Sequence, residues 1–303
     1  SNGVDGNNLH RNVIFRDGAD KTRNTPPLTT FVSADPTVPG IDPESLWKWL
    51  GNWEAKTGGQ VLAIPHNGNL SNGQMFESKR FNGQPITKQW AEERARWEPL
   101  VEVFQIKGTS ETHPSLSPND EFASFGIWDT ANLNGVVKKD GDLQGEYLRE
   151  ALKPGLRLQT EFGVNPFKYG MAAGSDTHNS LATGGEEGNF WGKFVADQPS
   201  PKRWDHVMFK QQDGFKRLGW TQVAAGITGV WATANTREAL WDAMKRKETY
   251  ASSGPRLSVR FFGGYDFTDK DADPASLAAS GYARGVPMGG DLRAAPAGKP
   301  PTF

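Results

Sequence analysis

Apolar residues recur along the chain in short blocks of two kinds, separated by polar or glycine-rich punctuation. Leu46, Trp47, Leu50 and Trp53 stand at helical spacing behind Asp42-Pro43, an N-cap followed by proline at the first helical position. The pattern predicts a helix to about Lys56, stopped by Gly58-Gly59. After it comes Val61-Leu62-Ala63-Ile64, a continuous apolar run of the kind buried on both faces of a parallel sheet. The same grammar returns with Thr87 as a cap, Trp90, Ala91 and Trp97 on one helical face, Pro99 as a break, and Leu100 to Phe104 as a strand.

A third helix is expected from Gly145 to about Leu152, and Tyr169-Gly170-Met171-Ala172-Ala173 reads as another short strand. Asn235-Thr236-Arg237-Glu238 fits a capping box, with Leu240, Ala243 and Met244 as the buried face of the helix behind it. Thr249-Tyr250-Ala251 and Leu257 to Phe262 read as further strands, and Val13-Ile14-Phe15 as one near the start. Helices alternating with short buried strands argue for a parallel sheet or barrel. Residues 1 to 40 are rich in Asn, Asp, Pro, Thr and Gly and read as mid-domain loop. From Gly263 the composition turns to Asp, Ala, Gly and Pro, and the chain runs to Pro300-Pro301-Thr302-Phe303 with no closing element expected. The reading therefore divides the chain into a domain over 1–262 and a Gly/Ala/Pro/Asp-rich segment over 263–303, with no internal repeat.

Composition narrows the classes. The 303 residues suffice for a sizeable core, and 35 Gly with 20 Pro point to many turns and loops. The net charge is −1, and Lys245-Arg246-Lys247, the longest basic block, sits at a helix end where cations complement the dipole, so nucleic acid is not expected as a partner. The most apolar stretch, Val223 to Ala234, is too short and too interrupted to span a bilayer, and the polar start offers no signal-peptide core. The chain has no cysteine, so any metal must be held by His, Asp or Glu, and no compartment is named.

In parallel α/β folds, ligands bind at the carboxyl ends of the strands, so the polar residues just after each apolar run carry the most information. Three of the five histidines fall there: His66 in Pro65-His66-Asn67-Gly68-Asn69, His113 in Lys107-Gly108-Thr109-Ser110-Glu111-Thr112-His113, and His178 in Ser175-Asp176-Thr177-His178. Asp176-x-His178 is the sharpest unit, because side chains two apart in extended backbone face the same way and can offer a carboxylate and an imidazole to a metal. Its plain alternative is an aspartate capping a turn beside a packed or solvated histidine. Lys107, Glu111 and His113 are candidates for holding an anionic substrate or moving a proton, against an ordinary hydrogen-bonded loop. Glu102 is open between a partner of the site and a buried, paired carboxylate. His10 has no spacing signal of its own, His206 reads as structural in a helical stretch, and Gly184-Gly185-Glu186-Glu187-Gly188 reads as a solvated rim. A serine triad of Ser175, Asp176 and His178 fails because no Gly-x-Ser-x-Gly elbow is present and its members are too close in sequence.

At these junctions the chain resembles a bacterial family catalogued as domain of unknown function 3604, itself similar to the polymerase and histidinol phosphatase (PHP) superfamily of metal-dependent hydrolases. The resemblance is carried by residues 8–16, Ile64 to Asn69, Val101 to Gly108, Gly174 to His178 and the run from Thr236 to Phe262. It implies a distorted PHP-like (β/α)7 barrel, incomplete at its amino-terminal end in this chain, with metals at the carboxyl ends of the strands. It implies His10, His66, Asp176 and His178 as metal ligands, for two or three divalent ions (Zn, Mn or Fe). The superfamily's opening His-x-His motif and its bridging glutamate have no match here, so the chain resembles an internal piece that needs a missing amino-terminal segment to complete the fold.

The expectation is a hydrolase of small-molecule anionic esters, phosphate or sulfate, in which metal lowers the pKa of a bound water. His113 and Glu111 are its catalytic candidates, and Lys107 and Arg11 its substrate-binding candidates. The rival is a non-catalytic carbohydrate-binding module, motivated by 11 Trp and the many Asn and Gly loops, although Trp47, Trp53, Trp90, Trp97 and Trp241 fall on predicted helix faces.

Overall fold

The computed structural model describes residues 8–25, 28, 40, 42–178, 206–210, 214, 216–219, 222, 225–295 and 298–303. In chain order its elements are β1 (Arg11–Phe15), α1 (Ala19–Thr22), α2 (Pro43–Thr57), β2 (Val61–Pro65), α3 (Lys88–Trp97), β3 (Leu100–Gln105), β4 (Gly108–Thr109) and α4 (Leu148–Phe162). They continue with β5 (Gly170–Ala173), β6 (Val207–Lys210), β7 (Lys216–Leu218), β8 (Ile227–Val230), α5 (Arg237–Lys245), β9 (Thr249–Ser252), β10 (Phe262–Gly263), α6 (Leu277–Arg284) and β11 (Val286–Pro287).

The cap chemistry explains why the first helices start where they do. Asp42 accepts a hydrogen bond from the Glu44 N–H, and Thr87 from the Trp90 N–H, each satisfying a donor that the first turn leaves open. Gly58 ends α2 in the left-handed region at φ 63°, which a residue without Cβ adopts cheaply. At α5 the cap is Thr236, one residue beyond the expected Asn235, and it accepts from the Ala239 N–H. The third helix runs well past its expected end. It spans Leu148–Phe162 and passes through Pro154, because Leu148, Ala151, Gly155 and Leu158 form one continuous buried stripe on either side of the proline. Burying that stripe offsets the roughly 3 kcal/mol that an interior proline costs.

The strands do not form the expected barrel. Among the described residues they pair in small sheets: β1 with β2 antiparallel, β4-β3-β5 with only β3 and β5 parallel, and β6–β7, β8–β9 and β10–β11 antiparallel. The architecture is mixed α/β with no closed barrel among these residues. A continuous apolar run reports that both faces of a strand are covered, but says nothing of the direction in which its edges pair, and that is where the expectation fails.

Coverage on both faces is what β2 and β3 share, every residue of each being buried. Val61 and Ala63 of β2 pack into a cluster with Leu46, Leu50 and Trp53 of α2, Trp90 and Trp97 of α3, and Leu148 and Leu158 of α4. Leu62 and Ile64 point the other way, toward Leu100, Ala172 and Trp241 of α5. Strand β3 departs from this alternation. Its register against β5 shifts between Glu102 and Phe104, a bulge that places one extra residue in β3. Val101, Val103 and Phe104 all reach the first cluster as a result, and Glu102 and Gln105, three apart, come to the same side and hydrogen bond.

Three further expectations are corrected. Only Phe262 of the run Leu257 to Phe262 lies in a strand. Leu257, Val259 and Phe261 are exposed, and the carbonyls of Leu257 and Val259 accept from the Tyr250 hydroxyl and the Trp231 indole instead of a neighbouring strand. Among its described residues the segment after Gly263 does hold closing elements: it contains α6 and β11, and Thr302 exchanges two backbone hydrogen bonds with Gly264, at 2.9 and 2.7 Å. His206 lies immediately before β6 and not within a helix, and its carbonyl accepts from the Gly219 N–H. The Gly184 to Gly188 turn lies outside the described residues.

Candidate metal centre at the strand ends

Strands β2, β3 and β5 bring their carboxyl ends together. His10, one residue before β1, stands opposite His66 in the antiparallel β1–β2 pair, and the His66 N–H donates to the His10 carbonyl at 3.2 Å. Cross-strand placement brings the two rings to 5.6 Å between centroids, tilted by 42°. His66 is buried, and its Nδ1 lies 3.8 Å from the Glu102 carboxylate of β3. Gln105 donates to the same carboxylate oxygen at 3.1 Å, and the Asn67 N–H does so at 3.4 Å. Glu102 is therefore a buried partner of His66, and the β3 bulge is what lets Gln105 join it.

Lys107 lies in the tight turn between β3 and β4. Gly108, next to it, has φ 101°, and a Cβ there would meet the Gly126 carbonyl at 2.7 Å, so this turn is tied to glycine. The Lys107 side chain is buried and its ammonium contacts the Asp176 carboxylate just beyond β5. His178 Nε2 is 3.4 Å from the other oxygen of Asp176. Asp176 has φ 51°, a left-handed conformation that aspartate tolerates better than most side chains. Two groups result, His10–His66–Glu102 and Lys107–Asp176–His178, joined through β3, which carries both Glu102 and the turn of Lys107. Gly174, two residues before Asp176, runs close to the first group: a Cβ on it would stand 3.9 Å from Glu102 Oε2. Among the described residues no group of three or more His, Asp or Glu is arranged around a single ion position.

The turn after His66 is braced from below. Asn69 donates to the carbonyls of Lys107 and Trp128 at 3.0 and 3.3 Å, and its oxygen accepts from Ser110 at 2.9 Å. The Asn69 carbonyl receives the Lys138 ammonium at 2.6 Å, and that ammonium pairs with the buried Glu146 at 2.5 Å. Burial pushes the Glu146 carboxyl up to about 7, outweighing the opposing pull of Lys138. A carboxyl raised above its usual 4.5 contributes stability that is fully present below about 4.5 and lost as pH rises through about 7. Urea midpoints measured across that window should fall with pH in the native protein and fall less in Glu146→Gln. An equal decline in both would show that Glu146 is not the titrating group.

The remaining candidates sit apart from these contacts. The Arg11 side chain is buried on the other face of β1, with Nε 2.9 Å from Glu98 Oε1 and Nη1 donating to the Leu9 carbonyl at 2.7 Å. Glu111 binds Arg149 at 2.5 Å on the surface, and Arg149 also holds Asp120 at 2.6 Å. His113 has Nε2 3.0 Å from Asp129 and Nδ1 2.5 Å from the Ser115 hydroxyl. This Ser-His-Asp contact has the outline of a nucleophile relay. The N–H groups of residues 115 to 117, which would have to stabilise an oxyanion beside that serine, are already spent on the Nδ1 and carbonyl of His113. Glu98, Glu102, Gln105 and Glu146 had weak or no signal in the sequence. The bulge and the long-range pairs that give them their roles have no local pattern, and for Glu98 the nearest clue is a charge just before a proline break.

Trp47, Trp53, Trp90, Trp97 and Trp241 are all buried, as their helical spacing predicts. No helix among the described residues is long and apolar enough to cross a membrane.

Fold and site together define a mixed α/β protein whose strand ends gather imidazoles, carboxylates and one buried ammonium. The family model described as "Protein of unknown function (DUF3604)" matches residues 1–303, and the chain belongs to that family. Comparison with curated proteins and with solved structures found no match.

Proposed function

We propose that this chain carries the metal site of a hydrolase acting on small esters with an anionic group, of the phosphate or sulfate type, related to the PHP superfamily. What supports the reading is a pair of contacts near the ends of β2, β3 and β5, His66 with Glu102 and Lys107 with Asp176, with His10 beside His66 and His178 beside Asp176. Neutral imidazoles and carboxylates suit Zn, Mn or Fe, and His10, His66, Asp176 and His178 are the residues that would hold such ions. A bound divalent ion supplies an acidified water and polarises the ester. The chain's own contribution is to exclude solvent around His66 and Glu102, to orient the imidazoles through buried hydrogen bonds, and to place the Lys107 charge beside the carboxylate.

The test is to load the purified full-length protein with Zn, Mn or Fe and follow aryl phosphate, aryl sulfate and neutral aryl ester hydrolysis with and without chelator. Metal-dependent turnover of the anionic esters is expected. Turnover that survives complete metal removal, or none with any metal, would overturn the reading. Lys107→Ala is expected to raise KM for anionic esters about tenfold, equivalent to about 1.4 kcal/mol, without lowering metal per protein. Equal losses on charged and neutral esters would reduce Lys107 to a shaping role.

A further inference from the structure

The Nδ1 edge of the buried His66 ring is surrounded by polar side chains. Asn67 Nδ2 lies 3.1 Å from Nδ1, Gln105 Nε2 3.4 Å and Glu102 Oε1 3.8 Å. A neutral imidazole carries its proton on one nitrogen and offers a lone pair on the other. With the Asn67 amide nitrogen toward the ring, Nδ1 accepts and Nε2 keeps the proton, so Nε2 has no lone pair to give.

That orientation is unfavourable, because it aims the Nδ1 lone pair at the Glu102 carboxylate 3.8 Å away. The two ends of an amide differ only in which atom is oxygen, and the surrounding network decides between them. Turning the Asn67 amide by half a rotation brings Oδ1 to the ring, where an Nδ1–H donates to it and points its positive end toward Glu102. Gln105 cannot take this part: its oxygen accepts from the Lys107 N–H at 3.2 Å and its nitrogen donates to Glu102, which set its orientation. Its 3.4 Å approach to Nδ1 is longer than an ordinary hydrogen bond.

We infer that Asn67 is a positioning residue whose side-chain oxygen holds His66 in the Nδ1–H tautomer, so that Nε2 presents its lone pair to a divalent cation. The identity of what Nε2 binds rests on the proposed function; the tautomer does not. The backbone of Asn67 supports this role, because at φ 55° it lets the side chain reach back to the ring of the preceding residue, in a conformation asparagine adopts more readily than most side chains.

The experiment reads the ring nitrogens directly, in metal-stripped chain labelled with 15N-histidine at mildly alkaline pH. His66 is assigned among the five histidines by the signal lost in His66→Gln. Long-range proton–nitrogen spectra are expected to show a protonated Nδ1 and an unprotonated Nε2. A protonated Nε2, alone or together with Nδ1, overturns the inference. Asn67→Asp keeps the acceptor and should keep the tautomer. Asn67→Gly suits the positive φ, removes the acceptor and should shift His66 toward a mixture; an unchanged spectrum there would remove Asn67 from the role. Zinc titration completes the test: Asn67→Gly should weaken affinity about tenfold or more, and Asn67→Asp should not. The expected tautomer in a chain that takes up no zinc would sink the metal reading while leaving the role of Asn67 intact.

Discussion

Glu98→Gln is expected to destabilise the protein by about 3–5 kcal/mol, the loss typical of removing one partner from a buried ion pair. Glu98 is fully buried between two guanidiniums, Arg11 with Nε at 2.9 Å and Arg94 with Nε at 3.2 Å, and it accepts the Trp47 indole N–H at 2.8 Å. The Arg94 contact is one of charge without hydrogen-bond alignment at Oε2. Arg94 also lies over the Phe167 and Trp90 rings, at 4.9 and 5.3 Å, so glutamine would leave that guanidinium among aromatic rings, and the buried Arg11 side chain on its other side, with no anion between them. Burial on its own would push the Glu98 carboxyl up, but the charges of Arg11 and Arg94 and the hydrogen bonds from Arg11 and Trp47 outweigh it and hold the group below its usual 4.5. The sign follows: stability from this group is present above about 4.5 and is lost as pH falls through its lowered value. Urea denaturation should show the largest gap between native protein and Glu98→Gln near neutrality and a narrowing gap in acid. A gap under about 1 kcal/mol at neutral pH would mean the pair is replaceable by neutral hydrogen bonding.

Asp176→Asn is expected to lower hydrolysis of anionic esters on the order of 100-fold or more and to reduce bound metal, with a smaller effect on the fold. Asparagine has the shape of aspartate and tolerates the left-handed φ of 51°, so the substitution removes charge without adding backbone strain. The charge it removes is the one that faces both the buried Lys107 ammonium and His178. Elemental analysis and aryl phosphate turnover on the same preparation check the prediction. Unchanged metal content with unchanged turnover would remove Asp176 from the site. Lost turnover at full metal loading would instead make its role one of organising Lys107 and His178.

Much of the local structure was legible in the chain. The caps Asp42 and Thr87, the stop at Gly58, the apolar run of β2 and the buried faces of α2 and α3 follow from side-chain chemistry acting within a few residues. The errors share a cause in interactions that bridge long separations. The end expected near Leu152 fails because the buried stripe of α4 continues past Pro154, and Leu257 to Phe261 alternate like a strand with no strand to pair against.

For the candidate site the division is similar. The junction rule singled out His66, Asp176 and His178 because a polar residue directly after a buried strand has few places to be but its end, and that is a local fact. Bringing Glu102 and Gln105 to His66 required the bulge in β3, and bringing Lys107 to Asp176 required β3 and β5 to lie side by side. Arg11 shows the opposite outcome: it stands one residue from His10, but strand alternation turns it to the other face, where Glu98 claims it. Short-range sterics and hydrogen bonding thus decide which residues form helices, strands and turns, and can be read one window at a time. Strand direction, register and the pairing of buried charges depend on which distant segments meet, and only the packed chain decides them.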